Sequence, residues 1–128
     1  MSPQEQRAVV ELFWDTMNTN DFRAAGALLD DQYLLEWPQS GERIRGRENF
    51  VAVNEKYPAA GRWVFTVNRL IAGEGGVATD VTVTDGAITA RAITFHELRD
   101  GRIARQTEYW PDPFEARAWR ARWVERAG

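Results

Sequence analysis

The chain has 128 residues, 16 basic and 19 acidic, with one histidine, no cysteine, 44% apolar residues and a formal net charge of −3. A chain of this size is expected to form one domain, spanning residues 1–128, whose core can carry the fold without a disulfide or structural metal. The missing cysteines and single histidine exclude thiolate nucleophiles, iron–sulfur clusters, cysteine zinc sites and multi-histidine metal centres.

Ser2-Pro3-Gln4-Glu5 opens the first predicted helix, with serine at the cap, proline in the first turn and Glu5 in capping-box register. Val10, Phe13, Trp14 and Met17 then follow the i, i+3, i+4, i+7 spacing of one buried stripe, and the helix runs to about Thr19. Asp21 caps a shorter helix, with Phe22, Ala25, Leu28 and Leu29 on one side, which ends at Asp30-Asp31. Tyr33 to Trp37 reads as a short strand stopped by Pro38, and residues 38–46 as a polar loop. A third helix is expected from about Arg47 to Tyr57, stopped by Pro58.

The second half changes period. Residues 62–71, 77–84, 87–98 and 102–110 are β-branched and aromatic runs separated by Gly73-Glu74-Gly75-Gly76, Asp85-Gly86 and Asp100-Gly101. Asp-Gly between two such runs is a hairpin signal, because primed turns need positive φ. Four strands in an antiparallel meander are expected, followed by a last helix capped by Asp112-Pro113-Phe114-Glu115 and carrying Trp119 and Trp123 one turn apart. Helices first and a meander afterwards predict an α+β domain, with helices packed on one face of a curved antiparallel sheet. The other face is free to pair with a second subunit.

The fifteen arginines are interspersed with carboxylates, which argues against a nucleic-acid partner. No basic leader and no run of about eighteen apolar residues is present, so a cytoplasmic protein without membrane contact is expected. Ser2 and Ser40 are the only serines and Lys56 the only lysine, so a serine triad or Schiff base is poorly supplied. Carboxylates, arginines, tyrosines and tryptophans remain for chemistry, with no cofactor or metal implied.

The order of elements, with Asn18-Thr19-Asn20-Asp21-Phe22 between the first helices and Leu29-Asp30-Asp31-Gln32-Tyr33 entering the first strand, resembles the NTF2-like superfamily. Glu36-Trp37-Pro38-Gln39-Ser40-Gly41, Arg45-Gly46-Arg47-Glu48 and the ending Asp100-Gly101-Arg102-Ile103 to Glu108-Tyr109-Trp110 are similar to its SnoaL-like polyketide cyclase group, which is related to the ketosteroid isomerases. The resemblance implies a cone-shaped domain around an apolar pocket, usually as a homodimer. It does not settle the reaction, because isomerases, cyclases, epoxide hydrolases and non-catalytic binders share the fold.

Carried over one position at a time, the ketosteroid isomerase set is missing. Trp37 stands where that family has its aspartate base, Phe13 where it has the tyrosine, and no aspartate lies near Phe95. The SnoaL-type acid/base aspartate corresponds to Glu108 and the histidine two residues before it to Gln106. The epoxide-hydrolase-like pattern resembles Glu108-Tyr109-Trp110, but its Arg-x-Asp partner is reduced to Asp80, with no arginine between Leu70 and Ala90.

Glu108, set among aromatic neighbours, is thus the leading catalytic candidate, since desolvation would raise its pKa towards neutrality. The alternative is an ordinary ion pair with Arg91 or Arg105. Asp80 either faces solvent or is a second carboxylate sharing a proton with Glu108. His96, near the end of its strand, is either a satisfied or rim histidine or an assisting group, as Tyr109 is. Arg91 either sits on the surface or binds an enolate or carboxylate. Gln106, Glu108 and Trp110 share one strand face, expected to be concave. Tyr33, Leu35 and Trp37, with Phe13, Trp14, Met17, Trp63 and Phe65, either fill a plain core or line a cavity for a small hydrophobic molecule. The functional expectation is cofactor-independent isomerisation, cyclisation or epoxide opening, against a non-catalytic binding or dimerisation domain.

Overall fold

The computed structural model describes residues 1–127. Helix α1 (Pro3–Asn18) begins at Ser2, whose hydroxyl accepts from the Glu5 N–H while the Glu5 carboxylate accepts from the Ser2 N–H. It buries Val10, Phe13, Trp14 and Met17, as the spacing predicts. Helix α2 (Phe22–Gly26) is capped by Asp21 and stops a turn earlier than expected. Strand β1 (Leu29–Trp37) starts there and takes in the acidic pair, with an irregularity between Leu29 and Leu34. The polar loop predicted for 38–46 contains a short strand, β2 (Glu42–Arg45), because Ile44 is buried against Leu35 on β1. Helix α3 (Arg47–Lys56) follows, burying Phe50 and Val51.

The meander consists of β3 (Val64–Gly73), β4 (Gly76–Thr84), β5 (Thr89–Arg99) and β6 (Arg102–Tyr109). Together with β1 and β2 it makes one six-stranded sheet in the order β2-β1-β6-β5-β4-β3. All neighbours are antiparallel except β1 and β6, which run parallel because the helices and the meander intervene in sequence. The fold is α+β, with the three helices against one face of the sheet.

Two turns behave differently from their shared Asp-Gly signature. Asp100 and Gly101 both have positive φ, 52° and 82°, and make the tight primed turn between β5 and β6. Asp85 instead accepts the backbone N–H groups of Ala87 and Ile88, and also that of Ala60, so a longer loop joins β4 to β5. At the β3–β4 turn a Cβ on Gly76 would collide with the His96 carbonyl oxygen, so only glycine lets the hairpin lie this close to β5.

The edge strand β3 is tied to α1 by two asparagines. Asn18 donates to the Phe65 carbonyl at 2.6 Å and accepts its N–H at 2.7 Å, and Asn20 does the same for Trp63 at 2.8 and 2.9 Å. These side chains satisfy the edge that β4 leaves open and hold Trp14 of α1 against Phe65.

The C-terminal helix expected after Asp112 is not an α-helix. Residues 111–127 carry one 3-10 turn, Ala118–Arg120, and are exposed almost throughout. A short amphipathic helix needs a surface for its apolar face, and Trp119 and Trp123 meet none within the chain.

Candidate functional site

The inward face of the meander is polar where a core is normally apolar. Thr94 on β5 stands opposite Glu108 on β6, and His96 stands opposite Gln106. All four are buried. A bulge in the β5–β6 ladder, between Glu97 and Leu98, sets this register; without it the same turn would place Arg105 opposite His96.

Glu108 has two direct donors. Its Oε1 accepts from the Trp37 indole Nε1–H at 3.0 Å, and its Oε2 accepts from the Thr94 hydroxyl at 2.7 Å. No cation reaches it among the described residues, so the expected alternative of a pair with Arg91 or Arg105 is not realised. Burial pushes its pKa up, against the opposing pull of hydrogen bonds from Trp37, Thr94 and, more weakly, Trp110.

A second set of hydrogen bonds runs beside it. The Tyr33 hydroxyl donates to Gln106 Oε1 at 2.6 Å, Gln106 Nε2 lies 3.0 Å from His96 Nδ1, and His96 Nε2 lies 2.8 Å from the Thr79 hydroxyl. With the amide so oriented, Gln106 donates to Nδ1, and the ring hydrogen resides on Nε2 and points to Thr79. Burial lowers the His96 pKa to about 3, so the ring is neutral at pH 7. Tyr33 is pushed well above the ordinary phenol value, first by burial and then by the Glu108 charge, which places the two groups within electrostatic reach. The rings of Phe13 and Trp14 lie edge-on to His96, with centroids 6.2 and 6.1 Å away. The Trp14 Nε1–H is buried with no acceptor.

The structure therefore brings together Glu108, His96, Gln106, Tyr33 and Trp37, with Phe13, Trp14, Met17, Leu35 and Phe65 buried in the surrounding core and Trp63 and Trp110 half-buried at its margin. It does not bring in the remaining three candidates. Asp80, expected as a partner carboxylate, lies on the opposite face because Thr79 and Val81 take the inward positions on β4. Its carboxylate is bonded to Arg91, with Nη2 to Oδ2 at 2.9 Å, and to Asn68, which together hold its pKa below the usual range. Arg91 is accordingly committed to Asp80 rather than to the interior. Tyr109 alternates outwards and stacks edge-on against Phe95. His96 is not a rim residue but one of the most buried side chains of the chain.

Thr79 and Thr94 are the members that sequence reasoning passes over. Their positions carried a signal, since Thr94 precedes His96 by two on one strand and so shares its face. The polar use of Trp37 had none, as a strand tryptophan ordinarily reads as apolar wall.

Neither of the two cavities described involves Glu108. One of about 360 Å³ runs over the β3–β4 turn and the Phe95–Glu97 stretch, and another of about 580 Å³ lies along the C-terminal segment at Pro113–Ala116 and Arg126. No group of acidic or histidine side chains suited to a metal ion occurs among the described residues. No helix is long and apolar enough to cross a membrane.

Residues 10–106 match the SnoaL-like domain family. The chain belongs to that family. Among solved structures it is similar to a candidate ketosteroid isomerase from Kribbella flavida, at 34% identity over 98% of this chain and 92% of that one, with a TM-score of 0.90. An NTF2-like protein of unknown function from Burkholderia xenovorans is 32% identical over 100% and 99% of the two chains, with a TM-score of 0.82. An epoxide hydrolase from M. tuberculosis, of the LEH-like kind, is 25% identical over 85% and 84%, with a TM-score of 0.68. No curated protein matches the chain. In this SnoaL-like protein Glu108 is a buried carboxylate on the inward sheet face.

Proposed function

We propose that the protein binds a small hydrophobic or oxygenated molecule between its helices and the inward sheet face, and that Glu108 acts there as acid/base without a cofactor. The reaction classes that suit such a group are isomerisation, cyclisation and epoxide opening. The observation that carries this reading is a buried carboxyl with raised pKa, held by Trp37 and Thr94 and paired with no cation. Proton transfer is most effective when the group's pKa approaches the working pH, and burial moves Glu108 in that direction.

The relatives named above as candidate isomerase and epoxide hydrolase support the reaction classes. They do not transfer an isomerase mechanism, because Trp37 and Phe13 replace the base and tyrosine that it would require. His96 is neutral and internally bonded, so its part is to position Gln106 and Tyr33 rather than to exchange a proton with a ligand. The protein is further expected to work in the cytoplasm as a homodimer, paired through the exposed sheet face that carries Phe95 and Tyr109.

The test uses a β,γ-unsaturated cyclic ketone and a terpene epoxide as probes. Turnover of either should fall by about 10²-fold or more in Glu108→Gln, the usual scale of general acid–base catalysis. Unchanged turnover in that variant would remove Glu108 from the chemistry. A second reading, a non-catalytic binding or dimerisation domain, is favoured by the two cavities that bypass Glu108. Calorimetric binding of the ketone without turnover of either probe would select it.

A further inference from the structure

Residues 111–127 form a segment that is exposed almost throughout. Its backbone hydrogen bonds are local, from Arg120 to Arg117, Ala121 to Ala118 and Trp123 to Arg120, and no ion pair joins it to the rest of the chain among the described residues. Yet Phe114, Trp119 and Trp123 are 74%, 74% and 70% exposed. Three such side chains in water are costly, since burying each would remove roughly 150–250 Å² from solvent. Arginines lie over all three rings, Arg117 over Phe114, Arg120 over Trp119 and Arg122 over Trp123, so each aromatic carries its own cation.

The root of the segment is rigid. Gln39 clamps both backbone groups of Trp110, accepting its N–H and donating to its carbonyl at 3.1 Å. The segment thus leaves β6 directly after Tyr109, beside an apolar strip that the same chain leaves open: Phe95, Tyr109 and Ile71, with Thr107 between the first two strands' rings. The chain therefore carries two unsatisfied apolar surfaces that do not meet in one copy. The face carries Arg91 and Arg105 beside Asp80 and Glu97, so the match between arm and face is apolar.

We infer that residues 111–127 are an exchanged arm, laid by each copy across the exposed sheet face of a second copy of this chain. A two-fold axis satisfies both surfaces at once, because each copy supplies one arm and one face. Two arms with three aromatics each remove roughly 900–1,500 Å² of arm surface, and the face they cover adds a comparable area, which reaches the size of a stable specific interface. The inference rests on the homodimer proposed above and adds to it which segment crosses.

The absence of cysteine makes the test direct. Two single-cysteine chains, Ala118→Cys in the arm and Thr107→Cys on the face, are mixed and oxidised, and sedimentation gives the mass of the unmodified protein. A dimer mass together with an arm-to-face heterodisulfide between the two chains is the expected result. A dimer without that heterodisulfide overturns the arm exchange and leaves the homodimer standing, whereas a monomer mass overturns both. A disulfide formed within one chain carrying both cysteines, at monomer mass, also overturns the exchange. In the full chain, the double variant Trp119→Ser and Trp123→Ser should raise the dimer dissociation constant by about tenfold or more, with an unchanged far-ultraviolet spectrum. An unchanged constant would overturn the proposal.

Discussion

The two faces of one sheet treat a carboxylate in opposite ways. On the inward face Glu108 is enclosed by Trp37, Thr94 and the buried Tyr33–Gln106–His96–Thr79 chain, and burial drives its pKa up. On the outward face Asp80 meets Arg91 across the β4–β5 pair, and that contact drives its pKa down. Both are strand carboxylates with a threonine nearby. The difference is that the helices exclude water and arginine from one side only, so charge is unstable inside and stable outside. A residue's chemistry here follows the face it occupies.

The comparison breaks most forcefully at Gln106. Gln106→Leu keeps the volume but leaves the Tyr33 hydroxyl and His96 Nδ1 without partners, and each buried orphan costs about 1–3 kcal/mol. Urea unfolding should show a loss of about 2–5 kcal/mol. A loss under about 1 kcal/mol would mean that the polar chain is not held by its hydrogen bonds.

Next in size is the response to acid. His96 titrates near 6.5 in the unfolded chain and about 3 in the fold, so the unfolded state takes up a proton that the native state refuses. This contribution to stability is full above pH 6.5 and falls by about 1.4 kcal/mol for each pH unit towards 3. Between pH 6.5 and 5 the stability difference between the protein and His96→Gln should therefore change by about 2 kcal/mol, against the wild type on the acid side. Proton NMR of the single histidine should show no titration over that range. Glu108 has the opposite sign, because its raised pKa makes its neutral form the favoured one and costs stability as pH rises above the unfolded value.

Much of this arrangement was legible from residue order alone. The α1 stripe, the meander and its Asp100-Gly101 turn follow local periodicity and turn chemistry, which act over a few residues. Glu108 was legible for a similar reason, as a carboxylate in an aromatic strand. What lay beyond reach depended on partners far along the chain. Strand β2 exists because Ile44 packs against Leu35, a tertiary contact stronger than the turn-like character of its neighbours. Asp80 and Arg91 face outwards together, which alternation allows on either face until the helices choose one. The C-terminal helix failed because its caps and Trp spacing describe a helix that has something to lie on.

A smaller effect tests whether the Glu108 donors tune it. Trp37→Phe keeps the ring and removes the Nε1–H, and Thr94→Val keeps the branch and removes the hydroxyl. Both donors favour the charged carboxylate, so removing either should move the Glu108 pKa further up. Carbon-13 NMR of the glutamate carboxyl reads this shift, and a downward movement would contradict the donor assignment. The probe reaction should move its acidic limb by the same amount in the same direction.

The outward carboxylate supplies the smallest expected effect and the sharpest contrast. Asp80→Asn deletes a partner of Arg91 that solvent can replace, since Arg91 is half-exposed and surface pairs contribute little. Probe turnover should stay within about twofold of wild type, and the Glu108 titration should not move. The strand leaves no direct path between them: Asp80 stands opposite Ile93, Glu108 opposite Thr94, and the two side chains emerge on opposite sides of the sheet. A large loss of turnover in Asp80→Asn would therefore mean that Asp80 reaches the ligand from the outward face. That face, not the interior behind Trp37, would then be where binding occurs, and the assignment of Glu108 would fall with it.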